Sequence, residues 1–379
     1  MKVYFDNAAT TRLDPEVLEV MLPVLTDQFG NPSSIHGFGR SSRSVIERAR
    51  KTIAGLLHAA PAEIFFTSGG TEADNTAICS SVQTFGIKHV ITSRIEHHAV
   101  LHTVEYLREI GQIQVSFVNL NADGEVDLNH LEELLSSNPN TLVSLMHGNN
   151  EIGNLLNLEV VGDLCDKYGA IFHTDTVQTM GHYKHDLQAI KANFVVGSAH
   201  KFHGPKGVGF LYVKPGTKIL PFVHGGAQER NMRGGTENVY GIVGLAKALE
   251  IAYREMDAHK AHILKIKGRM ITKLTESIEG IRFNGRSADL DNSLYTVLSV
   301  SLPPSEISDM LLFNMDIFGI AASGGSACSS GTDVGSHVLN ELKVAPDRAN
   351  IRFSFGKYNT EEEVDFVVEK LAGLYNTSK

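Results

Sequence analysis

No stretch of this chain holds roughly 18 consecutive apolar residues, which excludes an expected membrane-crossing helix. The opening residues, Met1-Lys2-Val3-Tyr4-Phe5-Asp6-Asn7, lack the apolar core of a secretion signal. Cysteine is scarce: Cys79, Cys165 and Cys328 are too few and too far apart for a disulfide framework or a Cys-x-x-Cys metal site. A reducing cytoplasm is the expected compartment. Positive charge is in deficit, with 34 basic against 43 acidic residues and a formal net charge of −9. Phosphate backbones need a basic surface, so no direct nucleic-acid partner is expected. Neither a Walker sequence nor Gly-x-Gly-x-x-Gly occurs, and His-Glu-x-x-His is missing despite 17 histidines. Internal repeats and low-complexity tracts are also absent.

The 379 residues are enough for a large core and more than one domain. Hydrophobic content of 42% and charged content of 20% are those of an ordinary globular protein. Strand-like and helix-like segments alternate through the first two thirds. Strands are expected at 63–67, 89–92, 114–118, 141–146, 170–174, 194–196 and 207–213, with helices over 71–85, 98–110 and 239–256. That alternation predicts a mainly parallel central sheet with flanking helices. Beyond residue 257 the texture changes to strands at 293–301 and 351–354 and helices over 305–313 and 360–374. Two domains are expected: a large α/β domain over 13–256, and a small α+β domain formed by 1–12 and 257–379.

In open α/β sheets, ligands bind beyond the carboxyl ends of the strands. Several chemically suggestive clusters stand at such ends. Ser68-Gly69-Gly70-Thr71 closes a strand and opens a helix, where free backbone N–H groups suit a phosphate as well as a plain cap. Glu96-His97-His98 offers an imidazole able to stack on a ring and move protons, or simply a helix start. His147-Gly148-Asn149-Asn150-Glu151 supplies amides that serve either as turn formers or as donors to a phenolate oxygen. Asp175, followed by Gln178, ends an apolar strand; burial there calls for a cation such as a protonated pyridine nitrogen, unless Asp175 is a helix cap.

Lysine appears at a strand exit in Ser198-Ala199-His200-Lys201-Phe202-His203-Gly204-Pro205. A closed pocket would lower its pKa and make the amine nucleophilic. His224 to Thr236 is a Gly-rich loop with two arginines, suited to an anion or to solvent. Cys328 lies in Ser323-Gly324-Gly325-Ser326-Ala327-Cys328-Ser329-Ser330-Gly331, where exposure and reactivity are expected, whereas Cys79 and Cys165 sit on helical patterns as core residues. Arg352, inside an apolar strand, requires a carboxylate from protein or substrate.

Taken together, these residues resemble the cysteine desulfurases of the NifS/IscS-like group. Those are class V aminotransferase-like enzymes of fold type I that depend on pyridoxal phosphate (PLP). The similarity runs from Asp6-Asn7-Ala8-Ala9-Thr10-Thr11 through Asn31-Pro32-Ser33-Ser34 to Arg352, nearly the whole chain. The resemblance implies that Lys201 holds the PLP aldehyde and shuttles the Cα proton, and that Asp175 pairs with the pyridinium nitrogen. Gln178 and Asn150 would contact the phenolic oxygen, and His97 would stack on the ring. Gly70, Thr71, Ser198 and His200 would bind the phosphate, joined by Thr236 from the second subunit of a homodimer. Arg352 and Asn150 would bind the substrate, and Cys328 would accept its sulfur; no metal is implied.

The implied reaction converts L-cysteine to L-alanine and leaves a persulfide for an iron–sulfur scaffold or a tRNA-thiolation partner. Selenocysteine lyase or another class V PLP enzyme is the near alternative. A metal hydrolase is a remote one, and a non-catalytic protein on the same fold is a third. Two departures stand out. The family usually has alanine after the aspartate, so Thr176 is expected beneath the ring. Relatives also often carry a longer C-terminal tail, used in docking the scaffold.

Overall fold

The computed structural model describes residues 1–324 and 335–376. In chain order the elements are β1 (Val3–Tyr4), α1 (Pro15–Asp27), α2 (Gly37–Leu56), β2 (Ile64–Thr67), α3 (Gly70–Phe85), β3 (His89–Thr92), α4 (His98–Glu109) and β4 (Gln114–Phe117). Next come α5 (Leu128–Ser137), β5 (Thr141–Ser144), α6 (Leu158–Tyr168), β6 (Ile171–Asp175), β7 (Phe194–Ser198), β8 (Gly209–Val213) and α7 (Val239–Arg254). The chain continues through α8 (Met256–Ser277), β9 (Arg282–Phe283), β10 (Val297–Ser301), α9 (Leu311–Ile317), β11 (Ile320–Ala321), α10 (His337–Glu341), β12 (Asn350–Ser354) and α11 (Glu361–Asn376).

Seven strands form the main sheet in the order β2-β8-β7-β6-β5-β3-β4. All its pairings are parallel except those of β8, which runs against both β7 and β2. The short connection from β7 to β8 explains the reversal, because a parallel return needs a longer crossover. Strands β3, β5, β7 and β8 are buried along their whole length. Helices cover both faces of such a sheet, so its strands read as continuous apolar runs rather than alternating ones. On one face α1, α2, α5, α6 and α7 share a large core around Ile53, Phe172, Phe210 and Leu245; on the other, α3 and α4 pack through Ile78, Val100 and Val104.

A separate core joins Val3 and Phe5 to Ile266, Met270, Leu298, Phe353 and Leu371. It surrounds the three-stranded sheet β12-β10-β9, and β1 pairs with β11 beside it. Helix α8 is an addition to the sequence reading: α7 stops at Arg254 and a second helix of 22 residues starts at Met256, burying Ile263, Ile266, Met270 and Leu274 on one stripe. Helix α9 starts at Leu311, later than the expected 305, because the chain first passes through a 3₁₀ turn at Ser308–Met310. Among the described residues, no helix is long and apolar enough to cross a membrane.

Candidate active site

The carboxyl ends of β2, β6 and β7 open into one cavity of about 230 Å³, roofed by the N-terminal segment and by Arg352 of β12. Lys201 ends a 3₁₀ turn (Ala199–Lys201) directly after β7. Its Nζ donates to the backbone oxygens of Ala8 and Ala9, the latter at 3.0 Å. The N-terminal motif is thereby recruited to the site, and Gln178 Nε2 reinforces it by donating to Ala8 O at 3.0 Å.

Asp175 is the last residue of β6 and is 5% exposed. One carboxylate oxygen accepts the Val177 N–H at 2.8 Å. Burial pushes its pKa up to about 6, although that N–H and the Lys201 charge pull the other way. The floor of the cavity therefore carries an acid without a full counter-charge. At the opposite wall, helix α3 begins with no capping side chain on Gly69. Its first N–H groups and the helix dipole face the cavity beside Gly70, Thr71 and Ser198, an arrangement that favours an anion. A Cβ on Gly70 would come within 2.8 Å of Val177 Cγ2, so the backbone approaches closely only because residue 70 is glycine.

His97 caps α4: its Nδ1 accepts from Ala99 N–H at 3.1 Å, which leaves Nε2 as the protonated nitrogen. Burial and the nearby Lys201 charge lower its pKa to about 4, so the ring is neutral at pH 7. His200, with Nδ1 3.2 Å from Thr10 Oγ1, is likewise lowered to about 4 by burial and by Lys201. The two asparagines after β5 divide their work. Asn149 is the turn former, with Oδ1 accepting from Glu151 N and Ile152 N, while Asn150 lines the cavity.

Arg352 is 2% exposed. Nη2 donates to Asp6 Oδ1 at 2.9 Å and Nη1 to Asn150 O at 3.0 Å, while buried Nε makes no hydrogen bond among the described residues. The carboxylate that a strand arginine requires is thus partly supplied by Asp6, with one donor in reserve. Gly70, Thr71, His97, Asn150, Asp175, Gln178, Ser198, His200, Lys201 and Arg352 all line this one cavity. Thr236 is exposed and does not line it. Cys328 lies outside the described residues.

Thr176 corrects an expectation. It is fully buried, its Oγ1 donates to Val196 O at 2.7 Å, and Val177 lines the cavity in its place. Three participants were not singled out from the sequence: Asp74 and Met146, which line the cavity, and Asp6, which pairs with Arg352. An acidic residue four places after Gly70, one turn into α3, was the available signal for Asp74.

The aminotransferase class-V family matches residues 3–367. A cysteine desulfurase IscS from Dictyoglomus turgidum is 42% identical over 376 residues, covering 98% of this chain and 93% of that protein. Among solved structures, a NifS-like protein has a TM-score of 0.91 and 38% identity, with complete coverage of both chains. A structure described as SspA in complex with cysteine has a TM-score of 0.81 and 32% identity, over 95% of this chain and all of that one.

Proposed function

This chain belongs to the aminotransferase class-V family and, within it, to the cysteine desulfurases, and we propose that the cavity at Lys201 is where it takes sulfur from L-cysteine. The enzyme depends on PLP. The cavity suits that group: an uncapped helix start faces one wall, an under-compensated buried carboxylate the floor, and an amine the space between. Gly70, Thr71, Ser198 and His200 would hold the phosphate, Asp175 the ring nitrogen, Gln178 and Asn150 the phenolic oxygen, and Lys201 the aldehyde carbon. When bound, the cofactor supplies an electron-withdrawing ring that stabilises negative charge at the substrate Cα.

The protein's own residues do the rest. Arg352 and Asn150 bind the substrate, with the guanidinium gripping its carboxylate. Lys201 Nζ takes and returns the proton at Cα. Neutral His97 stacks beside the reacting centre and donates from Nε2. The Cys328 thiolate attacks the substrate sulfur as the Cβ–S bond breaks, and the sulfane sulfur stays on Cys328. L-cysteine plus one protein thiol thus becomes L-alanine plus one protein persulfide, balanced without an outside oxidant or reductant.

What supports Cys328 is the anchoring of the described residues on either side of its segment. Ser323 shares backbone hydrogen bonds with Arg352 and donates from Oγ to Asp6. Ser336 donates to Glu151, and His337 Nε2 bonds Glu96 O at 2.9 Å. Both anchors flank the cavity wall. A homodimer is part of the proposal: Thr236 reaches the partner's phosphate, and the exposed apolar row Leu18, Leu22 and Leu25 on α1, with Phe29, Ile35 and Phe38, is the face for the second copy. The two cores are read as two domains, 13–256 and 1–12 with 257–379. The persulfide goes to an iron–sulfur scaffold or thiolation partner in the cytoplasm.

The observation that carries the proposal is the meeting of Lys201, Asp175 and Arg352 in one cavity. The protein reconstituted with PLP is expected to release alanine from L-cysteine. Lys201→Ala should lower that release by about 10³-fold or more, and Cys328→Ala should abolish the protein-bound persulfide. Alanine release at the wild-type rate by Lys201→Ala would refute the assignment.

A further inference from the structure

Directly behind Asp175 sits a second buried acid that the reaction above does not use. Asp74 is 1% exposed and lines the same cavity. Its Oδ1 lies 3.3 Å from Nε2 of fully buried His173, and neither atom makes a hydrogen bond among the described residues. His173 and Asp175 are two apart on β6, hence on one face of the sheet, and α3 lays Asp74 across that face. On its other side His173 Nδ1 is 2.8 Å from Ser144 Oγ of β5.

Resting on the PLP reading, we propose that Asp74 is protonated and donates to a neutral His173, the two forming an uncharged positioning pair that leaves Asp175 the single ionised carboxylate on the cavity floor. Two adjacent carboxylates cannot both ionise cheaply inside a protein. Asp175 has stabilisers for its charge, the Val177 N–H and the Lys201 ammonium; Asp74 Oδ1 faces the imidazole and accepts no hydrogen bond from another group among the described residues. The charged and titratable groups around Asp74 agree. Burial raises its pKa well above the ordinary value, and the charges of Asp175 and Glu96 push the same way. Burial raises Glu96 itself to about 8 and lowers His173 to about 3. A protonated Asp74 then donates to Nε2, and the ring proton on Nδ1 goes to Ser144 Oγ. One net negative charge on the floor matches one ring cation, whereas two would bind it with an uncompensated charge left over.

The test uses the PLP-bound enzyme labelled with [¹⁵N]histidine, the His173 signal being assigned with His173→Gln. The expected pattern is a neutral Nδ1–H imidazole from pH 6.5 to 8.5. A neutral Nε2–H ring, or a doubly protonated one, would overturn the proposal, because either makes Asp74 the ionised partner. PLP affinity gives a second readout. Asp74→Leu is expected to weaken binding about tenfold, and Asp74→Asn, a neutral donor of the same shape, to restore most of the loss. An Asn variant as weak as the Leu variant would equally overturn it. Asp175→Asn separates this inference from the reading beneath it: if that variant binds PLP as tightly as wild type, the cofactor assignment has failed, whatever the state of His173.

Discussion

Two places in this protein bury opposite charges, and they are built on opposite terms. Arg50 of α2 and Glu229 form a bidentate pair at 2.8 and 2.7 Å, and both side chains are nearly inaccessible. Arg50 also donates to Ile64 O, and Glu229 also accepts from Phe66 N at 2.9 Å. Both Nη atoms and both carboxylate oxygens are satisfied from within the chain; Arg50 Nε makes no hydrogen bond among the described residues but lies 3.4 Å from the Glu47 carboxylate. The cavity has acids of comparable burial below and an arginine above whose partners are incomplete: Asp175 accepts one N–H, and Asp74 Oδ1 and Arg352 Nε make no hydrogen bond among the described residues. A structural pair is finished by the fold, whereas a functional site leaves donors and acceptors for a ligand to finish.

The sharpest way to break that comparison is to remove one acid from each place and melt the cofactor-free protein. Glu229→Gln should destabilise by about 3–5 kcal/mol, since it strands a buried guanidinium. It should also loosen the backbone at Glu229 and Arg230, whose φ of 42° and 58° are held by this pair and by Arg230 Nη2 bonding Ile64 O at 2.7 Å. Asp175→Asn should leave the melting temperature unchanged or raise it, because it removes a poorly compensated carboxylate. If Asp175→Asn destabilises as much as Glu229→Gln, the distinction between the two regions is wrong.

A smaller effect follows from pH. His97, His182, His200 and His203 are all lowered to about 4, chiefly by burial. The folded protein therefore binds fewer protons there than the unfolded chain between about pH 4 and 6.5. The stability they contribute is complete above the ordinary histidine pKa and is lost as pH falls through 4. Asp175 and Glu96, raised to about 6 and 8, oppose this, because they favour the folded state as pH falls. The depressed histidines, which also include His98, His147, His173 and His185, outnumber the raised acids, which also include Asp74, and predict a melting temperature several degrees lower at pH 4.5 than at pH 7. Differential scanning calorimetry of the cofactor-free protein checks the sign, and a rise toward acid would mean that the acids dominate.

These cases show which parts of the molecule are legible from residue order. Strands β2, β3, β5, β6 and β7 are short apolar runs closed by small or polar residues, so their ends, and the nine predicted cavity residues at or near those ends, can be read locally. What cannot be read is whatever depends on distant packing. Asp6 meets Arg352 across 346 positions, and Arg50 meets Glu229 across 179. Asp74 resembles any acid one turn into a helix until α3 is laid on β6. Helix α8 escaped for a different reason: its buried stripe is diluted by Lys260, Lys265, Lys267 and Arg269, and Lys267 is itself buried against Ser293 Oγ and Leu294 O.

Thr176 gives the smallest effect and the most direct check on local reading. From sequence alone it belongs under the cofactor ring, where a hydroxyl would tilt the ring and change the rate. In the structure its Oγ1 turns away and donates to Val196 O, joining β6 to β7 at the edge of the cavity. Thr176→Ala should therefore cost about 1 kcal/mol of stability, the worth of one buried hydrogen bond. It should leave the visible absorption of the PLP-bound enzyme and its KM for L-cysteine unchanged. A shifted absorption band with intact stability would return Thr176 to the cavity, and the boundary between finished and unfinished polar groups would have to be redrawn at that residue.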